Sequence, residues 1–182
     1  MLRRHVVTAT LFLALFGSVS QLHAQDERIS VGPLVGINFE FEEVFFGVEA
    51  WIPLESVQVG DNTLVIAPTF RLFPFIGGES AGSVDIDSSL WSVGGDAVLP
   101  FDMGGNATPF VRGGIVVQRF SSTISGLESV EGSGSSTKAR LHLAGGSTFG
   151  PPDGGKFNAQ VGVLIGDGSQ VYLQGGYQIP IG

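Results

Sequence analysis

The chain has no cysteine in its 182 residues. Disulfides, thiolate metal sites and cysteine nucleophiles are therefore excluded together. Charge is scarce, at 14% Asp, Glu, Lys and Arg, and positive charge is scarcer still, with 9 Lys and Arg against 17 Asp and Glu. That acidic balance argues against nucleic acid as a partner and against adsorption to anionic lipid through charge. Beyond residue 24 there is no apolar run of the ~20 residues that a spanning helix needs, and no apolar stretch of helical period. Mean hydropathy is nonetheless +0.31. The apolar residues must be distributed along the chain rather than gathered into runs.

The first 24 residues form one exception. Arg3 and Arg4 precede a short apolar run, Val6 to Phe16, and small residues then lead to Leu22-His23-Ala24. This pattern is a secretory signal peptide over 1–24, with cleavage expected after Ala24 and a weaker alternative after Ser20. No cysteine follows it, which excludes a lipid-modified lipoprotein. Removing Arg3 and Arg4 leaves seven cations against 17 acids, a net charge of −10 for residues 25–182.

From Ile29 onward the fatty residues fall at every second position. In the last segment Val171, Leu173, Tyr177, Ile179 and Ile181 share one parity, and Tyr172, Gln174, Gly176 and Gln178 the other. Period two means β-strand, because successive side chains leave opposite faces. Eight such segments are predicted: 31–41, 44–54, 63–75, 90–101, 108–120, 138–149, 157–166 and 171–181. Each is near the ~9–11 residues that a tilted strand needs to cross a bilayer. Residues 77–89 and 121–137, rich in Gly, Ser and Asp, are predicted as the two long loops. The 28 glycines, many inside strands, imply crowding, since Gly otherwise weakens a strand.

Several segments run from Gly through small or acidic residues to a Pro at the strand end: Gly47 to Pro53, Gly95 to Pro100, Gly145-Gly146 to Pro151. With Pro109-Phe110-Val111-Arg112-Gly113-Gly114 and the C-terminal strand, these features resemble the small outer-membrane β-barrels of the OmpA/OmpX and opacity-protein type. The resemblance implies an all-β, eight-stranded antiparallel up-and-down transmembrane β-barrel over 25–182, placed in the cell outer membrane. It also implies insertion by the barrel-assembly machinery through a C-terminal signal, matched here by Gln174, Gly176, Ile179 and Ile181.

Sorting charge onto the two faces gives a direction. The fatty parity carries Val35, Ile37, Val48, Ile66, Phe70, Val93, Val111, Ile115, Leu141 and Val161, and its one charge is Arg119. The other parity carries Asn38, Glu40, Glu49, Arg71, Asp96, Arg112, Arg140, His142, Asn158, Gln160, Gln174 and Gln178. The expectation is fatty side to lipid and polar side inward. An eight-stranded barrel has only enough interior to be filled by side chains, and unpaired buried charge is costly. Glu49, Asp96, Arg71, Arg112 and Arg140 are therefore expected to share one cavity within ion-pair reach, with His142 beside them. The alternative is a soluble, lipocalin-like periplasmic barrel with the fatty face inward around a small apolar ligand. A narrow channel is the third reading.

Little else carries chemistry. Lipid-modifying barrels use a Ser/His pair, but Ser147 lies five residues from His142 and on the opposite face, so His142 is taken as a structural polar group. No residues have zinc spacing, and Asp85 and Asp87 in a Ser/Gly stretch are solvated acids rather than a Ca²⁺ site. Trp51 and Tyr177 fit an interface belt or ordinary packing. The expectation is a non-enzymatic, monomeric barrel without cofactor or metal. It contacts outer-membrane lipid and acts structurally or in surface recognition and adhesion, with an extracellular ligand held by 77–89 and 121–137.

Overall fold

A computed structural model describes residues 28–74, 79–81, 84–101, 107–125, 132–151 and 154–181. The strands are β1 (Ser30–Asn38), β2 (Glu43–Val59), β3 (Asn62–Phe73), a short β4 (Glu79–Ala81), β5 (Val84–Pro100), β6 (Ala107–Ser125), β7 (Gly132–Phe149), β8 (Lys156–Ile165) and β9 (Gln170–Pro180). All pairings are antiparallel between chain neighbours, except that β3 pairs β5 and β1 pairs β9. Those two pairings close the ring. Eight strands form an up-and-down barrel, and β4 adds a three-residue ladder to the outer edge of β5.

Ser30 pairs with Pro180, so β1 and β9 start and finish at one end of the barrel. The Gly60-Asp61 turn shares that end, with the strand ends at Pro100, Ala107, Phe149 and Lys156. Gly60 has φ +65, and glycine suits the first central position of such a two-residue hairpin because it adopts positive φ without a Cβ clash. The far end carries the 39–42 and 166–169 turns.

The fatty parity faces outward along the strands. Val35, Val48, Val93, Val111, Ile115, Leu141, Val161 and Leu173 are all exposed. A continuous apolar exterior of this extent is unsuited to water. Near the terminal end Phe149, Phe157 and Tyr177 lie side by side across β7, β8 and β9, with the Phe157 and Tyr177 rings 4.6 Å apart. Near the far end Phe70 and Trp91 are 6.5 Å apart on the outer wall, and Trp91 pairs with Arg119. Aromatic rows at both rims of an apolar band are the girdles that bilayer interfaces favour.

Glycine makes room inside. Phe45, Phe110 and Tyr172 are buried rings, and each lies directly across the ladder from a glycine: Gly36, Gly146 and Gly162. A Cβ at Gly36 would stand 2.8 Å from Phe45 Cε1, and one at Gly146 2.8 Å from Phe110 Cζ. The crowding expected from the sequence thus takes a specific form, an aromatic ring folded over a bare backbone.

Three expectations are corrected. The stretches 77–89 and 121–137 are largely strand, because β5, β6 and β7 continue as a ladder from Asp85↔Ser125 and Ile124↔Gly132 down to the barrel. Asp87 belongs to that ladder, opposite Thr123. Glu40 does not face inward. β1 ends at Asn38, and Glu40 is exposed in the turn that follows. The lipocalin-like arrangement is the wrong way round, since the fatty face is outside. Residues 1–24, expected as a signal peptide, lie outside the described residues.

Candidate functional site

The polar parity converges in the middle of the barrel on Arg112, from β6. Its Nη1 meets Glu49 Oε2 of β2 at 2.5 Å, and its Nη2 meets Asp96 Oδ2 of β5 at 2.5 Å. Nε also donates to Asp96 Oδ2 at 3.0 Å, and Nη1 to Gln160 Oε1 at 3.1 Å. The planar guanidinium serves two carboxylates at once, which its fixed fork of donors permits and an ammonium does not. The remaining lone pairs of Glu49 are taken by Trp51 Nε1 at 2.7 Å, Thr69 Oγ1 at 3.1 Å and Gln178 Nε2 at 3.2 Å.

Asp96 extends the network to β7 and β9. Its Oδ1 lies 2.7 Å from His142 Nδ1, and His142 Nε2 meets the Tyr172 hydroxyl. The tautomer follows from the partners. A hydrogen on Nδ1 donates to the carboxylate, which leaves Nε2 to accept from Tyr172. The Tyr172 oxygen accepts from Gln160 Nε2 at 3.0 Å. By residue type this is a carboxylate–imidazole–hydroxyl relay. By position it is sealed, with His142 0% and Tyr172 2% exposed.

Apolar side chains close the network at both ends. Val65, Ala67, Val98 and Phe110 pack with Trp51 toward the terminal end, where the Trp51 and Phe110 rings meet edge to face at 5.3 Å. Leu34, Phe45, Phe73, Leu90, Val116, Leu164 and Tyr172 pack toward the far end. Arg71 lies between the polar layer and this second cluster. It donates through Nε to Gln174 Oε1 at 3.1 Å and stands 5.7 Å from the Phe45 ring centroid and 5.3 Å from that of Tyr172.

The five expected charges therefore divide. Glu49, Asp96 and Arg112 meet as ion pairs, with His142 joined to Asp96. Arg71 shares the interior but bonds an amide and two rings instead of a carboxylate. Arg140 is elsewhere: at the far mouth its Nη2 donates to the Asp167 carbonyl at 2.9 Å and its Nη1 to that of Gly168. The reason is stagger, since Arg140 pairs with Val116, two pleats beyond Arg112. Of the C-terminal set, Gln174 is buried beside Arg71, and Gly176 faces Asn158, where a Cβ would meet Oδ1 at 3.1 Å. Ile179 and Ile181 lie at the terminal end, Ile181 exposed. Trp51 turns inward to Glu49, so it is packing rather than belt; Tyr177 faces outward beside Phe157. Gln160, expected on the inward face, joins the network through Arg112 and Tyr172; Tyr172 and Thr69 complete it without having been singled out, although Tyr172 stands in the polar parity. Among the described residues no group of three His, Asp or Glu is placed to hold a metal.

No protein-family model matches the chain, and no curated protein does. Solved structures do match. The N-terminal β-barrel domain of Pseudomonas aeruginosa OprF superposes with a TM-score of 0.63 at 11% identity, over 86% of this chain and 98% of that one. Ail, the attachment invasion locus protein of Yersinia pestis, gives 0.55 at 16% identity, over 85% and 97%. The outer membrane enzyme PagL gives 0.53 at 20% identity, over 84% and 99%. Ring closure, the outward fatty face and these superpositions agree: the chain has the fold of the small eight-stranded outer-membrane β-barrels.

Proposed function

We propose that the chain is exported, loses residues 1–24, and stands as a monomer in the outer membrane. There the barrel is a sealed, non-enzymatic scaffold, and the sheet extension of β5, β6 and β7 does the work of surface recognition or adhesion. One observation carries this reading: the fatty parity is outside, and the interior is filled by a polar network around Arg112 between two apolar clusters. A wall of this kind needs lipid, and a filled interior has no room for substrate. The part left free to act is the extension beyond the far rim, whose strands offer Ser, Thr and Gly.

Ail, an attachment protein by name, supports recognition as the task of such a barrel. PagL is an enzyme on the same fold, but fold does not transfer chemistry. The only histidine here beyond the leader is His142, and it is enclosed by Asp96 and Tyr172. Insertion through Gln174, Gly176, Ile179 and Ile181 by the barrel-assembly machinery belongs to the same proposal.

The test is gel mobility of the membrane fraction with and without boiling. A closed barrel gives a heat-dependent shift, and N-terminal sequencing of the product begins at Gln25. A mature chain that is soluble and monomeric without detergent overturns the reading. Steady single-channel currents in a planar bilayer overturn the sealed interior and favour the channel.

A further inference from the structure

We infer that the far mouth of the barrel holds a binding site for a small amphiphilic anion, a carboxylate on an apolar body. A cavity of about 400 Å³ opens there, above the apolar cluster that seals the interior. That volume is within the ~300–1,000 Å³ of small-molecule pockets.

Its chemistry is uneven. Arg140 is only 7% exposed. Both of its terminal nitrogens are held by the carbonyls of Asp167 and Gly168, which fixes the guanidinium but does not neutralise it. Its Nε has no acceptor, and among the described residues no carboxylate lies within ion-pair distance of it. A buried cation in this condition favours an anion, and a buried N–H favours an acceptor oxygen. Lys138, two residues earlier on the same face of β7, adds a second cation. Its ammonium stands 3.6 Å from Asp167 Oδ2, and the two side chains are 46% and 86% exposed. A pair so exposed contributes little, so Lys138 is free to turn to a ligand. Among the described residues, Glu40 is the other acid that lines the cavity.

The rest of the wall takes the apolar body. Phe41, Leu90 and Phe120 line the cavity. The amides of Gln118 and Gln170 lie at its base and bond to each other at 3.2 and 3.3 Å. Each amide gives one N–H to the other, and Arg140 Nε and Lys138 Nζ are the cationic donors that remain for the oxyanion.

The inference takes from the proposed function only that this mouth faces the outside. The probe is 4-(trifluoromethyl)benzoate, followed by ¹⁹F NMR on the full-length mature barrel in detergent-free phospholipid nanodiscs. The neutral control is 4-(trifluoromethyl)benzyl alcohol, which has the same body without the charge. Saturable binding of the benzoate, displaced by hexanoate and not by acetate, is expected, with the alcohol at least tenfold weaker. Arg140→Lys, which keeps charge but loses Nε, is expected to weaken binding at least tenfold, and Lys138→Gln about threefold. Each variant is first checked for its heat-dependent gel shift. Lys138 is half exposed and its loss spares the fold, so it decides the matter where Arg140→Lys fails to assemble. Equal binding of benzoate and alcohol overturns the inference, as does wild-type affinity in Lys138→Gln together with any folded Arg140→Lys. If binding is absent while the wild-type gel shift persists, this site fails and the barrel reading stands. If the shift itself is absent, the barrel reading fails.

Discussion

Arg112 and Asp96 sit one pleat apart on neighbouring strands, and Arg112 gives Asp96 Oδ2 two hydrogen bonds, at 3.0 Å from Nε and 2.5 Å from Nη2. The same guanidinium reaches Glu49, so one cation holds two carboxylates out of water. Arg112→Met leaves both carboxylates without their cation. Breaking a buried pair by removing one partner costs about 3–5 kcal/mol. Reversible urea unfolding in lipid vesicles is expected to show a loss of at least that size. Glu49→Gln and Asp96→Asn added to Arg112→Met recover most of it, because the uncompensated charge goes with them. A triple variant as unstable as Arg112→Met alone would mean that packing, not charge, is what Arg112 supplies.

Gly162 and Tyr172 make a different kind of pair. They face each other across the β8–β9 ladder, and a Cβ at position 162 would stand 2.6 Å from Tyr172 Cε1. The ring is pinned by His142 and Gln160 through its hydroxyl, so it cannot swing away without breaking the network. Gly162→Ala is expected to cost about 1–3 kcal/mol, as overpacking does. Combining it with Tyr172→Leu should cost less than the sum of the two single changes. Strict additivity in this double-mutant cycle would show that the glycine is not there for the ring.

Those two pairs show how far the sequence is readable. The outward set was legible, because lipid requires apolar side chains at alternate positions, and Val35, Val93, Ile115 and Val161 all obey. The ion-pair centre was legible too, since Glu49, Asp96 and Arg112 break the apolar composition at inward parity. The inner apolar clusters were not. Phe45, Phe73, Leu90 and Val116 share the parity of the polar set, and a strand flanked by two unlike faces does not reveal which few inward positions are apolar. The sheet extension was hidden for another reason. Beyond the rim no lipid selects for fatty side chains, so Ser121 to Ser125 and Gly132 to Thr137 carry no period. Only the backbone ladder makes them strand.

That extension should be separable from the barrel. Its pairs, from Asp85↔Ser125 to Ser88↔Ser122 and from Ile124↔Gly132 to Ser121↔Ser135, lie beyond the closed ring. Deleting residues 122–135 and joining the ends by a short Gly-Asn turn should leave the heat-dependent gel shift intact. Any recognition of host or surface ligands by whole cells should be lost. If the shortened chain no longer assembles, the extension is part of the folding unit rather than a free device.

The direction of the fatty face is tested most sharply at Ile115, which is 62% exposed in the middle of β6. On a lipid-facing wall, Lys near the bilayer midplane costs about 2–4 kcal/mol. On a wall in water, Lys at the same exposed strand position is close to neutral, as surface substitutions are. Ile115→Lys is therefore expected to lower barrel stability in phospholipid vesicles by that amount. Lys at Val57, exposed in the β2–β3 hairpin beyond the Ser30↔Trp51 pair, should change little. The contrast between the two sites matters more than either value. It maps where the wall is dry, and equal costs at both would place Ile115 outside the hydrocarbon.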